Sequence, residues 1–367
     1  LAELEKRPGL HLHVLVLRKQ FERSCTFVRH GVTFHLIKTP PLMRAPSFFW
    51  VDTLLIKRVL RQIGPDMLHA WGTEHGAALV ASRLPYPYLV TMQGLLGWLA
   101  EVLPLNRYQR FVAFLEKVSL ARASVVTAES TFAVQYLKAR FPHLEICQVE
   151  HAPQPLFHQV QRRPQLRPPR FLFVSPFTYG KGADLLIQAL DRLRPSLEFE
   201  LTVVGPTDEG LVRSLRAATS PSLWTRTKFR NNLTSDEIAD ELASATLLLC
   251  PTRADNSPNA VKEAVVAGVP VVAGRTGGIP DYVFPGENGV LFSPGDLSAC
   301  LDGIRMACQH PLFGRGLVEP EVLTKTRAYL SAKRMGQAFF ETYQRIWGQR
   351  NQSVGEKGKQ GHCLASA

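Results

Sequence analysis

The sequence predicts an α/β protein made of two doubly wound parallel-sheet domains facing a central cleft, and three observations support this. Short apolar runs of strand length alternate with helical stretches, and the alternation occurs twice. Residues 161–170, rich in Pro and Arg and without apolar period, separate the two series and read as a linker. Between Cys250 and Phe292 lies a stretch of small residues carrying two acids and a Gly-Gly turn, which lets a ligand approach the backbone closely.

In the first series, residues 1–160, strands are expected at 11–17, 33–37, 67–70, 88–92, 124–128 and 146–150. Helical patterns fill positions near 48–63, 74–83, 107–122 and 131–140. The second domain, 171–330, starts afresh with a strand at 171–175, followed by 200–204, 246–250, 269–273 and 290–292. Helices at about 182–194, 209–217, 235–244, 258–267 and 296–308 separate these strands. A further helix is expected at 331–347, and the polar residues 348–367 read as a disordered tail. A chain of 367 residues can hold two domains with sizeable cores, and its 45% hydrophobic content marks it as globular. No run approaches the roughly 18 consecutive apolar residues of a membrane-spanning helix, and no secretory leader is visible at Leu1.

The stretch after Cys250 carries the chemistry. Ser257 is a good N-cap, Pro258 a good first helical residue and Gly268 a fitting C-terminal cap, so 258–267 reads as one helix. Asp255 and Asn256 then lie beside free N–H groups and could bind hydroxyls of a polar ligand. Val269–Ala273 reads as a parallel strand buried on both faces, and ligands of open α/β sheets bind at the carboxyl ends of such strands. Gly277, Gly278, Ile279 and Pro280 form a turn into another helix start, a geometry suited to an oxyanion such as phosphate. Taken singly, an Asp before Ser-Pro is usually a cap and a helical Glu such as Glu263 is usually solvated. Their combination at this spacing favours a site. The six cysteines show no Cys-x-x-Cys pair or His-Cys ligand spacing, which favours free thiols in a reducing cytosol and argues against a structural zinc site.

These residues also carry a resemblance. Asp255 and Glu263 stand at the two positions of an E-x7-E pair, followed by Gly268-Val269-Pro270-Val271-Val272 and then Gly277-Gly278-Ile279-Pro280-Asp281. Earlier, Val174 to Gly182 includes Lys181-Gly182, and Glu287 to Phe292 supplies a further strand. Residues from Phe171 to about Ser293 thereby resemble the donor-binding domain of the retaining glycosyltransferases of family 4, also called group 1, whose fold is GT-B. The resemblance implies that Lys181 and the amides of Gly277 and Gly278 meet a donor diphosphate, and that Glu263 accepts ribose hydroxyls. It further implies that Asp255, with amides near Asn256 and Ser257, positions the donor sugar, with Ile279 beside it. Pro176 stands where the family has an Arg, and Asp255 is one methylene shorter than the usual Glu.

The first domain resembles the family more loosely. Pro65 to Glu74 looks like its Pro-Asp…His-Ala-His-Gly segment, and Thr91-Met92-Gln93-Gly94 like its His-Gly turn, with Gln93 in place of His. Gln93, His69 and Glu74 are the acceptor-side candidates; His69 and His75 read equally well as ordinary strand-end residues. Leu1 to Pro8 looks like the end of the family's first helix, so the first strand and its Gly-rich loop are expected to be missing and the first sheet to lack a central strand. The helix at 331–347 would, by resemblance, cross back to the first domain.

The resemblance therefore implies retaining hexosyl transfer from a nucleotide-diphosphate sugar, UDP- or GDP-linked, to a glycan or lipid-linked acceptor, as in the synthesis of cell-envelope polysaccharides. No Asp-x-Asp motif appears, so catalysis without metal and without any further cofactor is expected. The formal charge of +12 has three candidate causes, ranked as anionic sugar nucleotides, an anionic membrane surface or lipid-linked acceptor, and nucleic acid. Nucleic acid ranks last because no recognition helix, zinc finger or aromatic-basic motif accompanies the scattered basic residues. A cytoplasmic location, with peripheral contact at the inner face of a membrane, fits these expectations. A sugar-nucleotide epimerase of the same fold and a non-catalytic binding module are the alternative readings.

Overall fold

A computed structural model of the chain describes residues 1–40 and 44–362, with 349–362 described by backbone alone. The fold is mixed α/β and divides into two compact units. Unit one comprises 1–129, 134–149 and the chain from Met335; unit two comprises 130–133 and 150–334.

Unit one opens with α1 (Ala2–Glu5), β1 (His13–Arg18), β2 (Cys25–Arg29) and β3 (Val32–Lys38). There follow α2 (Trp50–Ile63), β4 (Leu68–Trp71), α3 (Ala77–Ala81), β5 (Tyr88–Thr91), α4 (Leu96–Val102) and α5 (Arg107–Leu120). It continues through β6 (Val125–Ala128), α6 (Thr131–Arg140) and β7 (Glu145–Gln148), the first turn of α6 counting with unit two. The strands form two sheets, β1–β3–β2 and an all-parallel β4–β5–β6–β7. β2 runs antiparallel to β3, a correction to the all-parallel expectation. The cause is local: His30 and Gly31 both take positive φ, 47° and 70°, which matches a two-residue turn whose twist suits a hairpin.

Unit two contains β8 (Arg170–Val174), α7 (Ala183–Leu193), β9 (Glu200–Val204), α8 (Glu209–Ala218), α9 (Pro221–Trp224) and β10 (Thr227–Arg230). Then come α10 (Ser235–Ser244), β11 (Leu247–Cys250), α11 (Asn259–Ala267), β12 (Val271–Gly274), β13 (Gly289–Phe292), α12 (Leu297–Gln309) and α13 (Pro320–Tyr329). Its six strands form one parallel sheet in the order β10–β9–β8–β11–β12–β13. Alternation along β8 sends Phe171 and Phe173 into one core with Leu186 and Ile187, and Leu172 into the opposite core with Val265 and Val271. The sheet is therefore buried on both faces, as its near-continuous apolar strands require.

Two boundary expectations are corrected. Residues 161–170 lie wholly within unit two, where the guanidinium of half-buried Arg162 donates to the carbonyls of Leu242, Ala243 (3.1 Å), Ala245 (2.6 Å) and Gly316 (2.8 Å). Those carbonyls at the end of α10 lack helical partners, which is why an apparently unstructured segment is held there. The last helix, α14 (Ala332–His362), continues past residue 348, where a disordered tail was expected; no proline interrupts it and Gln, Arg, Glu and Lys tolerate helix. Residues 363–367 of that expected tail lie outside the described residues. Among the described residues no helix is long and apolar enough to cross a membrane, and the five described cysteines form no disulfide.

Candidate functional site

The strand order of unit two brings two loops together. From β8 the chain proceeds outward to β9 and β10, then returns to place β11 on the other side of β8. The loops leaving the carboxyl ends of β8 and β11 thus adjoin at the point where the strand order reverses, where open α/β sheets bind ligands. Lys181 lies on the first loop and Asp255 on the second, and the ammonium donates to the carboxylate at 2.5 Å. Glycines permit the approach. A Cβ on Gly182, whose φ is 75°, would lie 1.9 Å from the Pro251 carbonyl oxygen, and one on Gly277 would lie 1.8 Å from that of Asp255.

A second pair, absent from the sequence reading, clamps the same loops. Arg253 donates to both carboxylate oxygens of Asp184 at 2.7 Å and to the Tyr179 carbonyl at 2.6 Å, while its guanidinium stacks on the Tyr179 ring at 3.8 Å. A bidentate pair of this kind fixes direction as well as distance. Its sequence signal was weak, because the partners lie 69 residues apart.

Comparison with known proteins matches this architecture. The family model for glycosyl transferases group 1 covers residues 168–310, and that for Glycosyltransferase Family 4 covers residues 2–153. The chain belongs to the GT-B glycosyltransferase superfamily. Sulfoquinovosyl transferase SQD2 of Arabidopsis thaliana is 31% identical over 140 residues, 37% of this chain and 26% of that protein. The chain thus spans about a quarter of the length of that curated relative. Sucrose-phosphate synthase from Thermosynechococcus elongatus superposes with a TM-score of 0.79 at 17% identity, covering 95% of this chain and 92% of the other. HepE of Anabaena in complex with UDP-glucose gives 0.63 at 17% identity, covering 91% and 100%. At such identities these two structures establish the fold alone.

Within this GT-B chain, Glu263 lies on α11, and burial pushes its carboxyl up to about 7 against the pull of neighbouring Lys262. It has no side-chain hydrogen bond or ion pair among the described residues. Lys262 turns instead to Glu150, Nζ to Oε1 at 3.3 Å, with both side chains wholly buried. Ser257 is drawn into the same cluster and corrects the helix-start expectation. Its hydroxyl donates to Glu150 at 2.8 Å and stands 3.3 Å from the Tyr282 hydroxyl, while Pro258 occupies the N-cap without a side-chain cap bond. Gly268 terminates α11 in the left-handed conformation, φ 80°, as expected.

The glycine turn is bonded to the loop that carries Asp255. The Gly278 amide donates to the Asn256 carbonyl at 2.6 Å, so it is not available to a phosphate. A Cβ there would lie 2.5 Å from the Ser130 Cβ, and Ser130 Oγ in turn stands 3.4 Å from Asn256 Oδ1. The turn leads into a three-residue helical turn at Ile279–Asp281 with Ile279 fully buried. Pro176, at the family's Arg position, is exposed and supplies no cation. Cys250 is a core thiol pushed up to about 12 by burial.

The acceptor-side candidates belong to unit one. His69 is committed on both ring nitrogens, Nδ1 to the Tyr343 hydroxyl at 2.7 Å and Nε2 to the Thr91 hydroxyl at 2.6 Å, and so joins β4 to β5 and α14. That fits the strand-end reading of His69. Glu74 accepts the Thr73 amide at 2.9 Å and the Gly94 amide at 3.0 Å, tying the loops after β4 and β5 together. Gln93, between those loops, is exposed. Glu116, which the sequence reading missed, accepts the amides of Leu96 (3.0 Å) and Gly97 (2.8 Å) at the start of α4. Burial outweighs those two bonds and pushes its carboxyl up to about 7.

Proposed function

We propose that the chain transfers a hexosyl unit from a UDP- or GDP-linked sugar to a hydroxyl of a glycan or lipid-linked acceptor, with retention. The Lys181–Asp255 pair at the adjoining ends of β8 and β11 carries this reading, since it presents a cation for a diphosphate beside a carboxylate for a sugar hydroxyl. The UDP-glucose held by HepE supports a donor of that class. Lys181 neutralises charge growing on the departing diphosphate. Asp255, released from Lys181, accepts a hydroxyl of the donor sugar, and Glu263 in its ionised form accepts the ribose hydroxyls.

The acceptor oxygen bonds to the anomeric carbon on the face from which the diphosphate leaves. As that bond forms, the bond from the anomeric carbon to the phosphate oxygen breaks, and the acceptor proton passes to the leaving phosphate. The Gly277 amide is the remaining donor of the glycine turn, since that of Gly278 is already engaged.

Titration of the whole chain with a panel of sugar nucleotides tests the reading; a panel in which none binds overturns it. Lys181→Ala is expected to lower kcat by about 100-fold or more, and Glu263→Ala to abolish nucleotide affinity. Because only the carboxylate of Glu263 accepts two hydroxyls, affinity should rise as pH passes upward through about 7 and lose that dependence in Glu263→Gln. Product analysis without acceptor separates transfer from epimerisation.

A further inference from the structure

We propose that Arg253 is a positioning residue for glycosyl transfer: through Asp184 and the Tyr179 carbonyl it keeps the loops after β8 and β11 in register once a donor has separated Lys181 from Asp255. The assignment rests on the donor roles proposed above for those two residues.

Two ion pairs join these loops in the empty chain. Lys181 meets Asp255 at 2.5 Å, and Arg253 meets Asp184 through both terminal nitrogens at 2.7 Å. Their fates differ when a donor binds. The diphosphate takes the ammonium of Lys181 and a sugar hydroxyl takes the carboxylate of Asp255, so the first pair is dismantled when the spacing of its members matters most. The Arg253 and Asp184 side chains are only 14% and 15% exposed and face each other, so the second pair persists through turnover.

Arg253 is placed to carry that load. It reaches the first loop at points that bracket Lys181. Its amide donates to the Gly180 carbonyl at 3.0 Å, its guanidinium to the Tyr179 carbonyl at 2.6 Å, and its fork to Asp184 in the first turn of α7. On its own loop it stands just before Ala254 and Asp255. The exposed Tyr179 ring covers one face of the guanidinium at 3.8 Å. The strand ladder cannot substitute, because the pairing of β8 with β11 ends at Leu172 and Leu248, well before Lys181 and Asp255. A bidentate fork fixes distance and direction together, which the single ammonium of a lysine does not.

The test combines steady-state kinetics of the whole chain, using the sugar nucleotide that the wild type turns over, with hydrogen exchange using UDP as the probe. Arg253→Lys keeps the charge and loses the fork; it is expected to lower kcat by about 10- to 100-fold with KM within about twofold. Asp184→Asn should behave alike, and the double variant should cost little more than either single change. Arg226→Ala, which breaks the exposed Arg226–Glu198 pair of the same unit, should leave both constants unchanged. Guanidinium ion, added well below the concentrations that unfold the chain, should restore part of kcat to Arg253→Ala.

A merely structural role would raise exchange in the empty chain. In Arg253→Lys the amides of residues 179–184 and 253–255 should instead exchange nearly as in wild type while Lys181 holds Asp255, and faster than wild type once UDP is bound. This measurement needs binding alone and decides without an acceptor; circular dichroism establishes that each variant is folded. Unchanged kcat in Arg253→Lys, a rise in KM alone, or equally faster exchange with and without UDP would overturn the proposal. A wild-type chain that binds no sugar nucleotide sinks the site reading and the proposal with it, whereas an active wild type beside an equally active Arg253→Lys sinks the proposal alone.

Discussion

Among the described residues unit two holds six strands in one sheet, whereas unit one divides seven between a three-stranded and a four-stranded sheet. The consequence shows in burial. β9 and β12 are buried along almost their whole length, while β1 is half-buried at best and every residue of β2 is exposed. In unit two the reversal of strand order falls inside a single sheet, so the loops after β8 and β11 are brought together by the backbone hydrogen bonds of neighbouring strands. In unit one β1 and β4 each end a sheet; neighbouring β4 and β5 bring their loops together, and Glu74 ties those loops while Glu116 holds the start of α4. In both units carboxylates fasten loops that neighbouring strands have brought together, by ion pairs in unit two and by bonds to main-chain amides in unit one.

Substitutions can break or sharpen this contrast. The largest effect is expected from Phe173→Ala in β8, about 4 kcal/mol by urea unfolding, with half-buried Leu15→Ala in β1 costing no more than about half as much. Equal costs would erase the contrast. Next, Lys262→Met removes the cation facing the buried Glu150 carboxylate and should cost about 3 kcal/mol, much of which Glu150→Gln in the same chain should restore.

Smaller, and dependent on pH, is the effect at Glu263. Its folded pKa is raised, so the chain binds more protons at that site folded than unfolded, and stability falls as pH rises from about 4.5 to about 7. Glu263→Gln should abolish that fall, gaining on the order of 2 kcal/mol above pH 7. Melting temperatures measured across the window check this. Glu116→Gln in unit one should gain less, because Glu116 has two amide partners to lose. The smallest effect belongs to Val28→Thr on exposed β2, within about 0.5 kcal/mol; a larger loss would mean that β2 is covered in solution.

Legibility followed the same division. The strand at 200–204 and the helix at 235–244 coincide with β9 and α10, because a sheet covered on both faces leaves apolar runs bounded by clear caps. β2, a mixture of polar and aromatic residues open to solvent, had no such signature, and α4 starts where a carboxylate from α5 supplies the cap. The left-handed cap at Gly268 was readable from a short motif, as were Lys181 and Asp255 as residues to single out, though not their pairing with each other. Arg253 with Asp184, and Lys262 with Glu150, were not, since partners 69 and 112 residues apart leave no local pattern. The internal partners of Ser257 and Gly278 were hidden for a related reason: both groups looked free in sequence, and folding gave each a partner.

The pairing of Lys181 with Asp255 also bears on how an anion enters. A lysine facing water sheds a mobile counter-ion when phosphate arrives, and its affinity weakens with salt accordingly. Here the counter-ion is a side chain on the adjoining loop, at 2.5 Å. In the proposed donor site an incoming diphosphate would perform an exchange, displacing a tethered carboxylate rather than a dissolved ion. Inorganic phosphate must make the same displacement with nothing to offer the freed Asp255, whereas a sugar attached to the diphosphate offers it a hydroxyl. On the proposed reading, the Asp255 carboxylate would act as a built-in competitor that favours the complete donor over its fragments.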